Sequence, residues 1–330
     1  MSIGDAVRSR RLEMGLSQAE VAALAGVSRQ LIGALEAGKH LPRIDAAISL
    51  ARALGSDIDT LFATSPPPVD VRSASRPADG ALVRMGRVGD RAVTAPVRSG
   101  WDAADGVVVD GSVTPFDALP PGLVVAGCEP GLETLETLLR LRGVGALAVN
   151  ASTADAVDCL ADGRVHAAVV HGAAGDLDPP GRVGEAVRYR LASWQVGLAA
   201  PADASDSLFA TALDGFHEVI QREPGAAVQQ AFRRRVGVDV PGPVVGSHLE
   251  AARLALITGN AAVTIEPAAC AVGARFHPLE VHRTELWVAG QWVGDRVVAS
   301  GLDLLMSGRF QRQLRHVGGY DLDGFGDRAA

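Results

Sequence analysis

Residues 17–38 read SQAEVAALAGVSRQLIGALEAG. Ser17 stands three residues before Glu20, the spacing of a capping box, in which the two side chains satisfy backbone amides at a helix start. Gly26 falls where the chain must turn through the left-handed region, which Ala or Val resists. Ser28 then caps a second helix whose Leu31, Ile32 and Leu35 share an apolar face. Two short helices joined by a tight turn form a unit shaped to lie in a DNA groove.

Working outward, residues 3–62 read as about five short helices, with breaks at Gly15, Gly26, Gly38 and Gly55 and no strand-like alternation. Residues 1–62 hold seven basic and seven acidic side chains, so DNA binding rests on cations flanking the motif and not on net charge. A helical interaction or oligomerisation domain is the competing reading. The elements LSQAEVA, GVSRQ and LEAGK resemble those of the lambda-repressor/Cro (XRE-type) helix-turn-helix family. The resemblance covers about residues 1–62 and implies that the second helix enters the major groove. It places Arg29 and Gln30 at the base edges, where Arg suits guanine and Gln suits adenine. By the same likeness Gln18 sits against the backbone, and Ser28, Lys39 and Arg43 contact phosphates. Arg11 and Glu36 match a structural ion pair of the family, while Gly33 and Ala34 depart from its polar habit and narrow the base readout. One such motif reads a half-site, so a homodimer on double-stranded DNA is expected.

The chain has 330 residues, too many for one ordinary domain, and 48% hydrophobic residues, enough for a sizeable core. The net charge of -7 confines any nucleic-acid contact to a local patch. Cys128, Cys159 and Cys270 are odd in number and form no CxxC pair, so neither a disulfide framework nor a zinc site is expected. No run approaches the length that crosses a bilayer, and the charged N-terminus lacks the apolar core of a signal peptide. A cytoplasmic protein without membrane attachment is the expectation.

The proline-rich run SPPPVDVRSASRPADG (65–80) reads as an extended linker. Two hairpins follow, one turning at Gly89-Asp90 and one at Asp110-Gly111. From LVVAG (123–127) the pattern becomes strand, helix, strand, helix, strand as far as VHAAVVHG (165–172), which argues for a parallel sheet with right-handed crossovers. Beyond the Gly/Pro-rich segment 172–184 lie the strand RLASWQVGLAA, two helices, the strand AAVTIE, the segment RTELWVAG and one terminal helix over 302–318. The expected architecture is multidomain: an all-α helix-turn-helix head (1–64), a linker (65–80), a small β module (81–122) and an α/β domain (123–330).

In open α/β sheets ligands sit at the carboxyl ends of strands, where helix N-termini aim amides at them. GCEPGLETL (127–135) and REPGAAVQQAF (222–232) fit that description. They nominate Cys128, Glu129, Gly225 and Ala226, joined by Asn150, Ser152 and Thr153 after the second strand. Arg222 either neutralises an anion or pairs with Glu223. His171 either lines a cleft or is hydrogen-bonded scaffold, and Glu266 is either a pocket acceptor or a loop charge. Trp194 and Gln195 fall at the expected lobe crossover, as hinge, pocket wall or core.

The segments VVAGCEPGLETL, AAVVHG, WQVGLAA, QREPGAAVQQAF, GNAAVTIEPAA and SGRFQRQLRHVGGYDLDGFG make residues 123–325 similar to the type II periplasmic-binding-protein fold. The likeness is to its cytoplasmic, molybdate-binding-protein-related members fused to helix-turn-helix regulators. It implies a two-lobed sensor of a small effector, an oxyanion such as molybdate being the family's habit. The hydroxyls expected in the turn at Pro224-Gly225-Ala226-Ala227 are missing, and Glu129 and Glu223 oppose an anion.

Enzyme chemistry finds little support: there is no Walker loop, no GxGxxG after a strand and no GxSxG. Its best case is Cys128, its thiol pKa lowered at a helix start, with His171 as base. His277 and His282 lack metal spacing, and no metal and no cofactor are expected. The sequence reads as a ligand-modulated transcription regulator. The alternative is a DNA-binding protein whose α/β half is a ligand-blind dimerisation scaffold or a vestigial enzyme.

Overall fold

The computed structural model describes residues 3–62, 69–73, 77–97, 103–117, 122–173, 175, 177 and 179–329. The head consists of α1 (Ile3–Glu13), α2 (Gln18–Ala25), α3 (Arg29–Glu36), α4 (Ile44–Ala53) and α5 (Ile58–Phe62). Both halves of the capping box form at Ser17 and Glu20, and Gly26 ends α2 at φ +67°. The Ser28 hydroxyl accepts the Leu31 amide at the start of α3. Val7, Val21, Ile32, Leu35, Leu50, Leu54 and Leu61 make the core of the head. Gly4 is required there, because a Cβ would lie 2.5 Å from the Leu35 carbonyl oxygen.

Both hairpins form where expected. β2 (Leu82–Val88) pairs with β3 (Arg91–Pro96), and β4 (Gly106–Val109) pairs with β5 (Ser112–Pro115). The stretch read as a linker behaves differently in part. Val69–Asp70 forms β1, which adds parallel to β3, and Val71 is fully buried. Positions 65–68 and 74–76 of that stretch lie outside the described residues. The strand order of this sheet is β1-β3-β2-β4-β5. Val88, Val93 and Ala95 share one core with Val124 and Leu147 of the next sheet. Buried Arg84 reaches across to Glu136 at 2.9 Å and to the Ala148 carbonyl.

The α/β half begins with β6 (Gly122–Gly127), α6 (Gly131–Arg140), β7 (Gly145–Asn150), α7 (Thr153–Ala161) and β8 (Ala167–Gly172). β6 pairs parallel with both β7 and β8, as the alternating pattern requires. Two long strands follow: β9 (Ala186–Ala200), which contains the strand RLASWQVGLAA read from the sequence, and β13 (Arg275–Ala289), which begins well before the segment RTELWVAG. They pair antiparallel along almost their whole length, with irregularities between Pro278 and Glu280 and between Thr284 and Glu285. The second half of β13 also pairs with β8, and the second half of β9 pairs with β12 (Ala262–Ile265). One ribbon thus serves two lobes, in a sheet ordered β12-β9-β13-β8-β6-β7. Irregular register bends a strand and sharpens its twist, and here one shift falls between Thr284 and Glu285, opposite Leu191.

Lobe I is built on β6, β7, β8 and the part of the ribbon beside β8, and lobe II on β12 and the part of the ribbon beside it. Lobe II also contains α8 (Asp206–Ala212), β10 (Gln221–Arg222), α9 (Ala227–Val236), β11 (Val244–Val245), α10 (His248–Thr258) and α11 (Glu266–Val272). Lobe I is completed by α12 (Arg296–Leu305) and α13 (Gly308–Val317). The single terminal helix expected over 302–318 is two helices, because the Ser307 hydroxyl accepts the Phe310 amide and starts α13 afresh. The chain then returns along β9, where Ser193 and Asp321 exchange backbone hydrogen bonds and Arg190 pairs with Gly326 and Asp327.

His166, just before β8, ties this sheet together. Its Nδ1 accepts the Val124 amide at 3.0 Å, and burial pushes its pKa down to about 4. A depressed folded pKa means that the unfolded chain alone binds this proton between about pH 6.5 and 4. Stability is present above that window and is lost as pH falls through it, by up to about 3 kcal/mol. His166→Asn, which keeps an acceptor for Val124, is expected to flatten the acid limb of the stability profile by about one proton in urea titrations.

Candidate functional site

On the head, Ser28, Arg29, Gln30, Lys39 and Arg43 are all exposed. Arg29 and Gln30 occupy the first turn of α3, where side chains project from the helix end. Gln18 is less free than expected: its Nε2 donates to Glu36 Oε2 at 2.9 Å. Glu36 also accepts from Arg11 Nε at 2.6 Å and Nη2 at 3.0 Å. Burial alone would raise the Glu36 pKa, but the bonds from Arg11 and Gln18 hold it below the usual range. Arg11, with a further bond to the Leu16 carbonyl, is structural, as the pairing with Glu36 implied.

The second site is a buried polar cluster where the lobes meet. On one face of the crossover, His171 lies opposite Thr284, and Trp194 lies opposite His282. The His171 ring stands 5.1 Å from His282, 5.5 Å from Trp194 and 5.9 Å from His248. Cys128, after β6, and His248, the first residue of α10, close over them. Cys128, His171 and His248 each bring a ligand-type atom within 4.8 Å of the others. Trp194 Nε1, His248 Nε2 and Thr284 Oγ1 are buried without a hydrogen-bond partner among the described residues.

The partners fix the protonation of the rings. Arg222 Nη1 lies 2.8 Å from His248 Nδ1. A guanidinium only donates, so that nitrogen accepts and Nε2 carries the proton. His282 Nε2 lies 2.6 Å from Glu280 Oε1, and His282 Nδ1 lies 2.9 Å from His171 Nδ1. These contacts form a chain that runs from His171 through His282 to Glu280. Burial, reinforced by neighbouring positive charge, drives the pKa of His171 and of His248 well down, so both rings are neutral.

The nominated residues separate into distinct groups. Arg222 is buried and does pair with Glu223, at 3.1 Å, while also donating to the Val245 and Gly246 carbonyls. Asn150 donates from lobe I to the same Gly246 carbonyl at 2.8 Å, a direct bond between lobes. Thr153 exchanges hydrogen bonds with the His171 backbone, and Ser152 caps α7. Glu129 is buried; its Oε1 accepts from Gly131 at 2.8 Å and Tyr320 at 2.6 Å, and burial raises its pKa to about 7. Glu266 lines a cleft of about 360 Å³ bounded by Trp194 and Tyr320. Gly225 is at the surface, and Ala226 belongs to the lobe II core.

One expectation is overturned. Burial pushes the Cys128 thiol up to about 12, Glu129 adds to the rise, and the nearby Arg222 charge does not offset it, so the thiol is not activated by the helix start. His248, His282, Thr284 and Tyr320 went unnominated, since the cluster forms across the chain: His248 is 26 positions from Arg222, His282 is 111 from His171, and Tyr320 is 191 from Glu129. The only local sign was the helix start at Ser247-His248.

Residues 7–61 match the helix-turn-helix family. A segment of 57 residues, 17% of this chain, is 46% identical to an uncharacterized HTH-type transcriptional regulator of Methanothermobacter thermautotrophicus, of which it covers 83%. The chain belongs to the helix-turn-helix transcriptional regulators. Among solved structures, this regulator's α/β half is similar to an ABC-type phosphate transport receptor from Vibrio cholerae. That likeness has 10% identity and a TM-score of 0.43, over 61% of this chain and 99% of that one. It is also similar to the regulatory domain of a LysR family regulator from N. meningitidis, with 12% identity and a TM-score of 0.44, over 63% of this chain and 98% of that one. No described helix of the regulator is long and apolar enough to cross a membrane.

Proposed function

We propose that this chain is a one-component transcription regulator of the cytoplasm, which binds a two-fold operator as a homodimer and responds to a small ligand held between its lobes. Arg29 and Gln30 read bases, and Ser28, Lys39 and Arg43 contact phosphates. The observation that carries the sensing half is the interlobe cluster itself. A scaffold gains nothing from burying Trp194 Nε1, His248 Nε2 and Thr284 Oγ1 without partners, since each such group costs about 1–3 kcal/mol. A ligand that satisfies them recovers that cost and favours the lobe arrangement that holds it, which is what changes the presentation of paired heads.

The test is a thermal-shift screen of the full chain against molybdate, tungstate, sulfate, phosphate and a panel of metabolites, followed by operator binding with each hit. A saturable shift that also changes operator affinity is the expected result. No response to any compound favours the ligand-blind scaffold. On an operator selected from random DNA, Arg29→Ala is expected to lose about 1–3 kcal/mol of discrimination at one base position. Lys39→Ala should weaken all sequences alike and lower the salt slope by about one. Uniform loss from Arg29→Ala would contradict its role in base reading.

A further inference from the structure

We infer that the interlobe cluster is a binding site for a thiophilic d10 cation, Zn²⁺ or Cu⁺, held by Cys128, His171 and His248. The inference rests on the sensing role proposed above and names its ligand. A thiol and two imidazoles are the donor set that such ions select. The three ligand atoms already lie within 4.8 Å of one another. Tetrahedral zinc with one sulfur and two nitrogens sets such atoms roughly 3.3–3.7 Å apart.

Each ligand has its support. His171 is oriented at Nδ1 by His282, which is held in turn by Glu280. A chain of this kind running from a ligating imidazole to a carboxylate is the usual outer shell of a metal site. His248 Nε2 is buried and has no hydrogen-bond partner among the described residues. Cys128 loses its proton on binding, so Cys–SH and the ion give Cys–S–metal and a released proton. The charge that would otherwise oppose a cation, Arg222, is paired with Glu223 and bonded to the Val245 and Gly246 carbonyls. An anion would instead meet Glu129 and Glu223.

The geometry also says what occupancy changes. Cys128 and His171 end strands of lobe I, whereas His248 starts a helix of lobe II, so the ion bridges the lobes. To ligate, His248 must move its proton from Nε2 to Nδ1, which turns the acceptor facing Arg222 into a donor and breaks that bond. Arg222 shares the Gly246 carbonyl with Asn150 of lobe I. Loading therefore adds a bridge between the lobes and breaks the Arg222–His248 contact within lobe II.

The experiment uses the full chain, stripped of metal and titrated with Zn²⁺, with Cu⁺ under reducing conditions, and with Co²⁺ as an optical stand-in. A chromophoric chelator competes in each titration. One equivalent per chain is expected, and X-ray absorption of the wild-type complex should read one sulfur and two imidazole nitrogens. The relative affinities of Zn²⁺ and Cu⁺ identify the preferred ion. Cys128→Ser and His248→Gln should each weaken binding at least about 100-fold, with folding checked by circular dichroism. Stoichiometry far below one, a sulfur-free coordination shell, or full affinity in folded Cys128→Ser would overturn the assignment. If an anion or metabolite shifts the melting point while no metal binds, this inference falls and the sensing role stands. If nothing binds at all, both fall.

Discussion

Arg11→Ala is expected to unfold the DNA-binding head while leaving the α/β half folded. Glu36, with only 5% of its side chain exposed, would keep one side-chain hydrogen-bond partner among the described residues, Gln18, with Arg8 as the remaining nearby positive charge. Stranding one member of a buried pair costs about 3–5 kcal/mol, and a core of this size supplies no more than about 3–5 kcal/mol in total. Hydrogen exchange on the full chain is the direct check: amides of α1 to α3 should lose protection while those of β6 and β8 keep it. The double variant Arg11→Met, Glu36→Leu should recover most of the loss, because an apolar pair of similar volume carries no stranded charge. Wild-type protection in Arg11→Ala would show that the pair is dispensable.

Arg222→Met carries the second large effect, this time in lobe II. The guanidinium satisfies the Val245 carbonyl, the Gly246 carbonyl, His248 Nδ1 and Glu223, and methionine replaces none of those donors. A loss of about 3–5 kcal/mol is expected, as for other broken buried charge networks, and is measurable as a lower urea midpoint. Asn150→Ala, which removes an exposed bond to the same Gly246 carbonyl, should cost only about 1 kcal/mol. If the two variants were equally mild, Arg222 would not be the member that holds the β10–α10 corner together.

What was legible in the sequence was what is local. The capping box, the Gly26 turn and the Ser28 cap lie within a dozen residues, so spacing alone resolves them. The hairpins at Gly89-Asp90 and Asp110-Gly111 announce themselves through turn chemistry, and alternating apolar runs and helices mark β6 to β8. What escaped depends on pairing at a distance. β1 is two residues long and exists because β3 offers it an edge. β9 and β13 look like two ordinary strands until each is seen to pair through both lobes. Cys128 and His248 are 120 positions apart in the chain, and Tyr320 reaches Glu129 only because the chain after α13 returns along β9. A helix start likewise suggested a reactive Cys128, but burial, which no spacing rule measures, dominates it.

The long β9–β13 ribbon also sets an order of events during synthesis. The head ends at Phe62 and has its own core, so it can fold soon after it leaves the ribosome. Lobe I cannot, because β13 at Arg275–Ala289 and the helices after it complete its sheet and cover it. Pairings between β8 and β13 span more than a hundred residues, and contacts that distant form slowly. Every newly made chain therefore passes through an interval in which its DNA-binding surface is finished and the interlobe cluster does not yet exist.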